Sequence, residues 1–283
     1  MIIDAHTHIF PDEIRRHRER YFKGEPGFEL LYRDTRKSRM ASAEELLAVM
    51  DEQGVDISVV FGFPWQQPET TRLHNNTVMA AVKRYPGRLV GLCCLDPFMK
   101  HPVAEIERCL EGGLSGVGEL AFYDRGLDDD VLNALQPVMD FCFEQDLPVM
   151  IHTNEPVGHE YPGKAPMSLQ QIVNLIRRFP RNTIILAHWG GGLFLYGLLK
   201  KELKPLLENI YFDTAASPFL YDSRVYRFAA EIIGVDHILF GSDFPLLKPE
   251  RYFRELASSG LTVDQTAAIQ GLSAARLLDI EVI

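Results

Sequence analysis

Apolar and polar positions along the chain fall into two alternating textures. Short runs rich in Val, Ile, Leu and Phe, almost unbroken by polar residues, occupy 2–5, 57–61, 89–95, 116–120, 148–152, 183–188, 210–214 and 237–241. Continuous apolar runs of this length are the mark of strands buried on both faces of a parallel sheet. Between them lie stretches with apolar residues at helical spacing: 42–53, 71–85, 101–111, 129–145, 168–179, 194–207, 221–233, 249–258 and 263–278. Ser42 with Glu45, and Ser168 with Gln171, have the spacing of capping boxes. Pro86-Gly87, Gly112-Gly113 and Pro180 supply stops, and Gly271 is expected to split the last stretch. Strand and helix alternating eight times predict a closed (β/α)8 TIM barrel, read as a single domain over 1–283. The first strand is not followed by Gly-x-Gly-x-x-Gly, which disfavours a doubly wound dinucleotide fold.

Three connections are long for a compact domain: 9–41, 62–70 and 153–167. Each leaves the C-terminal end of a predicted strand, the face where barrel enzymes build their sites.

Composition narrows the classes further. The 283 residues are 46% hydrophobic and 24% charged, ordinary values for a large globular core, and the net charge is −10. No basic stripe runs along the chain. Its densest basic cluster, Arg15, Arg16, Arg18 and Arg20, is interleaved with Glu13 and Glu19 and reads as a solvated helix face, so a nucleic-acid partner is not expected. No apolar run approaches bilayer length and no secretory leader opens the sequence. Cys93, Cys94, Cys109 and Cys142 form no C-x-x-C pair and read as reduced, buried thiols. These features predict a cytoplasmic protein acting on a small molecule, with a homo-oligomer compatible.

The chemistry gathers at strand ends. The first run closes in Asp4-Ala5-His6-Thr7-His8, and residues two apart on a strand share a face, so His6 and His8 aim at one point. The fourth run ends at Glu119, the fifth at His152, the sixth at His188, and the eighth is followed by Asp243. Any one of these alone reads as an ordinary capping or half-buried polar residue. Four imidazoles and two carboxylates at the same end of five strands read differently. Such groups cost several kcal/mol to bury unless paired or metal-bound. Nitrogen and oxygen donors in this mixture suit a divalent ion, with Zn²⁺ favoured and Mn²⁺ the alternative, as one or two ions.

In Asp4-Ala5-His6-Thr7-His8, Gly116-Val117-Gly118-Glu119, Val149-Met150-Ile151-His152-Thr153, Leu186-Ala187-His188-Trp189-Gly190-Gly191 and Phe240-Gly241-Ser242-Asp243-Phe244-Pro245, the chain resembles the amidohydrolase superfamily of metal-dependent TIM-barrel hydrolases, in its amidohydrolase-related branch. The resemblance spans nearly the whole chain in family order. It implies His6, His8, His152 and Asp243 as metal ligands, and His188 as a second-metal ligand or a catalytic group. Many members with two metals carry a carboxylated Lys on the fourth strand. Glu119 stands there instead, as in the TatD-like branch, either bridging two ions or lying beside one. Carboxylates crowded around one ion resist joint ionisation, which favours two ions or a protonated Glu119.

The activity expected on this basis is hydrolysis of an amide, ester or lactone. The ion activates water and Asp243 shuttles its proton, while His188 steadies the oxyanion. The alternative is non-oxidative decarboxylation of a small unsaturated or aromatic acid, as in the superfamily's aminocarboxymuconate-semialdehyde decarboxylase branch. For the substrate, Trp65, Tyr123, Tyr161 and Trp189 are expected to form an aromatic wall and Arg125 to clamp a carboxylate.

Overall fold

The computed structural model describes residues 1–281. Eight strands appear where the apolar runs predict them: β1 (Ile3–His8), β2 (Ile57–Phe61), β3 (Leu89–Gly91), β4 (Val117–Leu120), β5 (Val149–Ile151), β6 (Ile184–Leu186), β7 (Ile210–Asp213) and β8 (Ile238–Leu239). All pairings are parallel, in the order β1-β2-β3 and β4-β5-β6-β7-β8. Two irregular seams close the circle. Cys93 bridges to Val117, and at the other seam Thr7 bridges to Phe244 while the Ala5 N–H donates to Phe240 O at 2.7 Å. The result is an α/β TIM barrel.

Side chains inside and outside the barrel separate cleanly. Ile3, Ala5, Ile57, Val59, Phe61, Leu92, Met150, Ile185 and Leu239 pack together in the interior, sealed below by Ala274 and Ala275. Val60, Val149, Ile151, Ile184, Leu186, Ile210, Phe212 and Ile238 belong to the outer layer beneath the helices. The two sets alternate along β2, as the period of a strand requires.

The capping boxes form as predicted at Ser42/Glu45 and Ser168/Gln171, opening the helices Ala43–Gln53 and Leu169–Arg178. The helix predicted over 71–85 begins earlier, at Pro68, which tolerates the first helical turn because its missing N–H has no partner there anyway. The helix predicted over 194–207 does not form. His188, Trp189, Gly190, Gly191 and Gly192 all take left-handed φ, so the chain enters this region through a left-handed turn and continues as short 3₁₀ and α pieces. A Cβ at Gly191 would fall on the Asn154 carbonyl, so only glycine fits. The last helical stretch does split. A π-turn, Ala268–Leu272, frees the Ile269 carbonyl to accept from Phe240 N–H at 2.9 Å, and Gly271 lets this turn lie against the start of β1.

The long connection after β1 is not bare loop. It holds the helices Asp12–Arg16 and Pro26–Tyr32, and a satellite core of Phe10, Ile14, Phe28, Tyr32, Met40, Phe63 and Trp65 anchors it. Of the basic cluster, Arg16 is exposed and pairs with Asp12, whereas Arg15 is half-buried between Asp12 and Glu45 and Arg18 donates to the carbonyls of Tyr32 and Ser38, so only part of it is a solvated face. No helix among the described residues is long and apolar enough to cross a membrane. All four cysteines are buried and unpaired.

Candidate metal centre

Two breaks in strand register aim the site inward. On β1 the pairing with β2 shifts between Asp4 and Thr7. Below the shift the inward residues are Ile3 and Ala5; above it they are His6 and His8, while Thr7 turns outward and its hydroxyl donates to Val59 O at 2.6 Å. On β4 the pairing with β5 shifts between Val117 and Leu120, which both face outward, so Gly118 and Glu119 fall inside. Gly118 has φ +138 and packs against Met150, where a Cβ would come within 2.6 Å of the Met150 Cβ. Bulges re-aim side chains in this way next to active sites.

The convergence predicted from the sequence is present. His6 Nε2 lies 3.3 Å from His8 Nε2, 3.6 Å from Asp243 Oδ1 and 3.7 Å from Glu119 Oε2. His8 Nε2 lies 3.4 Å from Asp243 Oδ1 and 3.8 Å from Glu119 Oε2. The other oxygen of Glu119 faces the next strands, with His152 Nδ1 at 2.9 Å and His188 Nε2 at 3.6 Å. Phe61 floors the site, its ring edge-on to His6 and His8. His152 therefore gathers with Glu119 and His188 rather than with His6 and His8, and Glu119 spans both groups.

Each imidazole has one nitrogen committed outward. His6 Nδ1–H donates to Asp213 Oδ2 at 2.8 Å, His8 Nδ1–H to Gly62 O at 3.3 Å, His188 Nδ1–H to Ala215 O at 3.1 Å and His152 Nε2–H to Gly163 O at 2.9 Å. The second nitrogens of His6 and His8 face both Glu119 and Asp243, and those of His152 and His188 face Glu119. Lone pairs on four imidazoles and two carboxylates, gathered in a buried space, form a donor set that fits a divalent cation. Tying the far nitrogen of a ligating His to a carboxylate or carbonyl fixes the tautomer and orients the ring.

Asp213 is the functional residue that sequence reasoning missed. It ends β7, is fully buried, and besides His6 it accepts from the backbone N–H of His188 at 2.8 Å and of Ala215 at 3.0 Å. One carboxylate thus sets both His6 and His188. The signal was available, since Asp213 ends a buried apolar run as Glu119 does. Asp4 plays a matching part at the β1/β8 seam, accepting from Ser242 N–H at 2.8 Å, and burial pushes its carboxyl up to about 7. The Asp243 N–H donates to His6 O at 2.9 Å, which holds its left-handed backbone (φ 59).

The electrostatics follow from this crowding. Burial alone would lower the His6 imidazolium, but Asp213 and Glu119 outweigh it and hold its pKa at about 10. The same contest, with Glu119 and Asp243 on the winning side, holds His188 at about 9. Burial would raise Glu119, yet His6, His152 and His188 pull it well below the usual carboxylate range. Asp243 is likewise lowered against burial, by His8, His6 and His188.

The expected aromatic wall is only partly there. Trp65 and Trp189 are fully buried, and neither lines the cleft beside Tyr123. The Trp65 indole N–H donates to His74 Nδ1 at 2.8 Å, and His74 in turn donates from Nε2 to Ile9 O. Trp189 donates to the Ser217 hydroxyl and packs on Phe194 and Tyr226. Indole nitrogens with buried partners belong to the core. Tyr123 does reach the site, its ring 5.2 Å from that of His152. With Arg125, Glu25 and Phe63 it lines a cleft of about 390 Å³. Arg125 stacks over Phe98 on the rim of that cleft. Tyr161 sits in the connection after β5, its hydroxyl donating to Glu155 at 2.9 Å.

Residues 3–280 match the amidohydrolase family. The chain belongs to this family. Among curated relatives, the 2-amino-3-carboxymuconate-6-semialdehyde decarboxylase of Dictyostelium discoideum is 23% identical, with 86% of this chain and 81% of the relative aligned. The 6-methylsalicylic acid decarboxylase of Penicillium expansum is 26% identical, over 86% of this chain and 84% of the relative. A solved 5-carboxyvanillate decarboxylase from Novosphingobium aromaticivorans, complexed with manganese and 4-hydroxy-3-methoxy-5-nitrobenzoic acid, superposes with a TM-score of 0.75 at 16% identity, covering 99% of this chain and 96% of that one. These relatives overturn the expectation of hydrolysis and favour its alternative.

Proposed function

We propose that this amidohydrolase is a metal-dependent, non-oxidative decarboxylase of a small unsaturated or aromatic carboxylic acid. The observation that carries the reading is the pair of decarboxylases among its curated relatives, each aligned over 86% of this chain. The buried ring of imidazoles and carboxylates at the barrel mouth supports it.

In this reading His6, His8 and Asp243 would hold a divalent ion, with Glu119 as a further or bridging ligand and His152 and His188 beyond it. Zn²⁺ and Mn²⁺ both suit such donors, and manganese is the ion bound by the superposed decarboxylase. When bound, the ion supplies positive charge that anchors the anionic substrate and draws electron density from the carbon that loses CO2. Asp213 holds the His6 ring in its tautomer and direction and pins the His188 backbone, while the Ala215 carbonyl holds the His188 ring. The carbon left behind must receive a proton, a role we assign to His188 and Asp243, which stand beside the ring's other donors. The balance is one C–C bond broken, one C–H bond formed and one CO2 released.

The test is a panel of conjugated and aromatic carboxylic acids, with esters, amides and lactones, presented to the manganese- and zinc-loaded protein in D2O and in ¹⁸O-labelled water. The expected result is CO2 release with one deuterium on the product carbon and no ¹⁸O in the organic product. Label in a new carboxylate, without CO2, would overturn the reading.

A further inference from the structure

The connection after β5 closes on itself. Asn154, buried at its start, accepts the Ala165 N–H at 2.8 Å and donates from Nδ2 to the Ala165 carbonyl at 3.1 Å, which staples the two ends of 154–165 together. A loop whose ends meet in this way is held by its own side chains rather than by secondary structure. The side chain at its centre is Lys164, only 8% exposed. Its Nζ donates to three successive carbonyls, Val157 O at 2.8 Å, Gly158 O at 3.4 Å and His159 O at 3.2 Å. An ammonium has three donors, and all are spent inside the loop. Glu155 Oε1 stands 3.6 Å from Nζ as its counter-charge, and the other Glu155 oxygen accepts from the Tyr161 hydroxyl. Three carbonyl dipoles facing one point repel unless a cation sits among them, so the curl of 157–159 depends on Lys164.

The residue before Lys164 meets the imidazole–carboxylate ring. Gly163 O accepts from His152 Nε2–H at 2.9 Å, while the opposite nitrogen, Nδ1, lies 2.9 Å from Glu119 Oε1. Gly163 has φ +97, and a Cβ there would meet nothing nearer than Leu31 at 4.0 Å. Glycine is needed here for the direction of the peptide rather than for space. The next residue holds that direction from both its ends: the Lys164 backbone N–H donates to Tyr161 O at 3.1 Å, and its ammonium is locked among the three carbonyls. A neutral imidazole whose proton is held on Nε2 keeps its lone pair on Nδ1. If the Gly163 carbonyl moved away, the ring would be free to exchange tautomers and to swing, and Nδ1 would no longer be the committed donor.

We infer that Lys164 is a positioning residue for the metal centre: by shaping the loop 154–165 it sets the Gly163 carbonyl, which fixes His152 with Nδ1 turned to Glu119 and to the ion. The inference rests on the reading of the ring as a divalent-metal site and not on the reaction run there. Lys164 gives the ring no group of its own, since its donors are spent on Val157, Gly158 and His159, so its influence passes through His152.

The test uses Zn²⁺ as the probe, because it suits these donors and leaves the imidazole signals readable by NMR. In the zinc-loaded full chain the His152 proton should sit on Nε2 and exchange slowly with water. Lys164→Met keeps the length of the side chain and removes its charge and donors. It should weaken zinc, measured by competition with a chelator, about tenfold, and bring the His152 Nε2–H into fast exchange. Lys164→Arg restores the charge and should recover part of both. In a His152→Ala background, Lys164→Met should change zinc affinity by less than about twofold, because the imidazole it acts through is gone. Equal losses in the two backgrounds would show a general loosening of the fold and overturn the inference. Wild-type zinc affinity in Lys164→Met would overturn it too, as would a His152 proton found on Nδ1 in the wild type, which needs no variant. If the wild type takes up no zinc, the metal-centre reading falls and this inference with it. If the wild type binds zinc and Lys164→Met binds it equally, only the role of Lys164 falls.

Discussion

The two ends of the barrel are built from the same strands and obey opposite rules. The interior toward the strand N-termini is apolar: Ile3, Ile57, Leu92, Met150, Ile185 and Leu239 fill it, and Ala274 and Ala275 close it. At the C-terminal end the same strands present His6, Glu119, His188 and Asp213, all buried, with His8 and Asp243 only slightly exposed. Burial at the first end stabilises the fold directly, at roughly 25 cal/mol per Å² of apolar surface. Burial at the second end opposes it unless charges are paired or coordinated. A chain selected only to fold would extend the first pattern to both ends. The polar end is thus where stability is given up for chemistry, and the two ends should answer differently to mutation.

The largest effect expected is on metal binding. His6→Ala/His8→Ala should leave near-zero manganese or zinc by elemental analysis and no activity, while the fold persists by circular dichroism. Met150→Ala or Ile185→Ala at the apolar end should do the reverse, costing about 2–5 kcal/mol in denaturant melts with metal stoichiometry kept. If the floor variants lose metal as completely as the rim variant, the two ends are not separable.

Next in size is the residue that never faces the ring's centre. Asp213→Asn keeps the shape but weakens the hold on His6 and His188. Metal affinity, measured by competition with a chelator, should fall about tenfold to a hundredfold. Glu119→Gln should lower metal occupancy or activity about tenfold or more, for the same reason applied to a ligand. Unchanged values for either would make these carboxylates purely structural.

The smallest effect separates the ends by pH. In chelator-treated protein, His6 and His188 have pKa values raised from 6.5 to about 10 and about 9. Their contribution to stability is fully present below pH 6.5 and is lost as pH rises through 9 to 10. Melting temperatures of the chelator-treated form should therefore decline across that alkaline window. In the manganese-loaded form this decline should be blunted, because bound metal displaces those protons. Metal uptake at pH 7 should accordingly release protons, readable by calorimetry in buffers of different ionisation enthalpy. A decline of equal size in both forms would contradict the assignment.

How much of this was legible in the sequence differs between the ends as well. The apolar end was readable, because continuous runs of Val, Ile and Leu fix strand number and order. So were the capping boxes at Ser42 and Ser168, whose partners lie three residues away. At the polar end the side-by-side placement of His6 and His8 followed from strand period, but their inward aim depends on a bulge that no local residue announces. Trp65 and Trp189 look like rim residues in sequence because they follow strand ends, yet His74 and Ser217 draw them into the core. The helix expected over 194–207 had sound apolar spacing but is interrupted where Lys200 turns extended, with Pro205 beyond it, and only the piece Tyr196–Leu199 is α-helical.

The most direct measurement is the anomalous-scattering map of crystals grown with saturating Mn²⁺. The polar end predicts an ion within about 2.1 Å of His6 Nε2, His8 Nε2 and an Asp243 oxygen, the ordinary bond length for such donors. A well-ordered map with His6 and His8 in place and no ion within reach of either would contradict it.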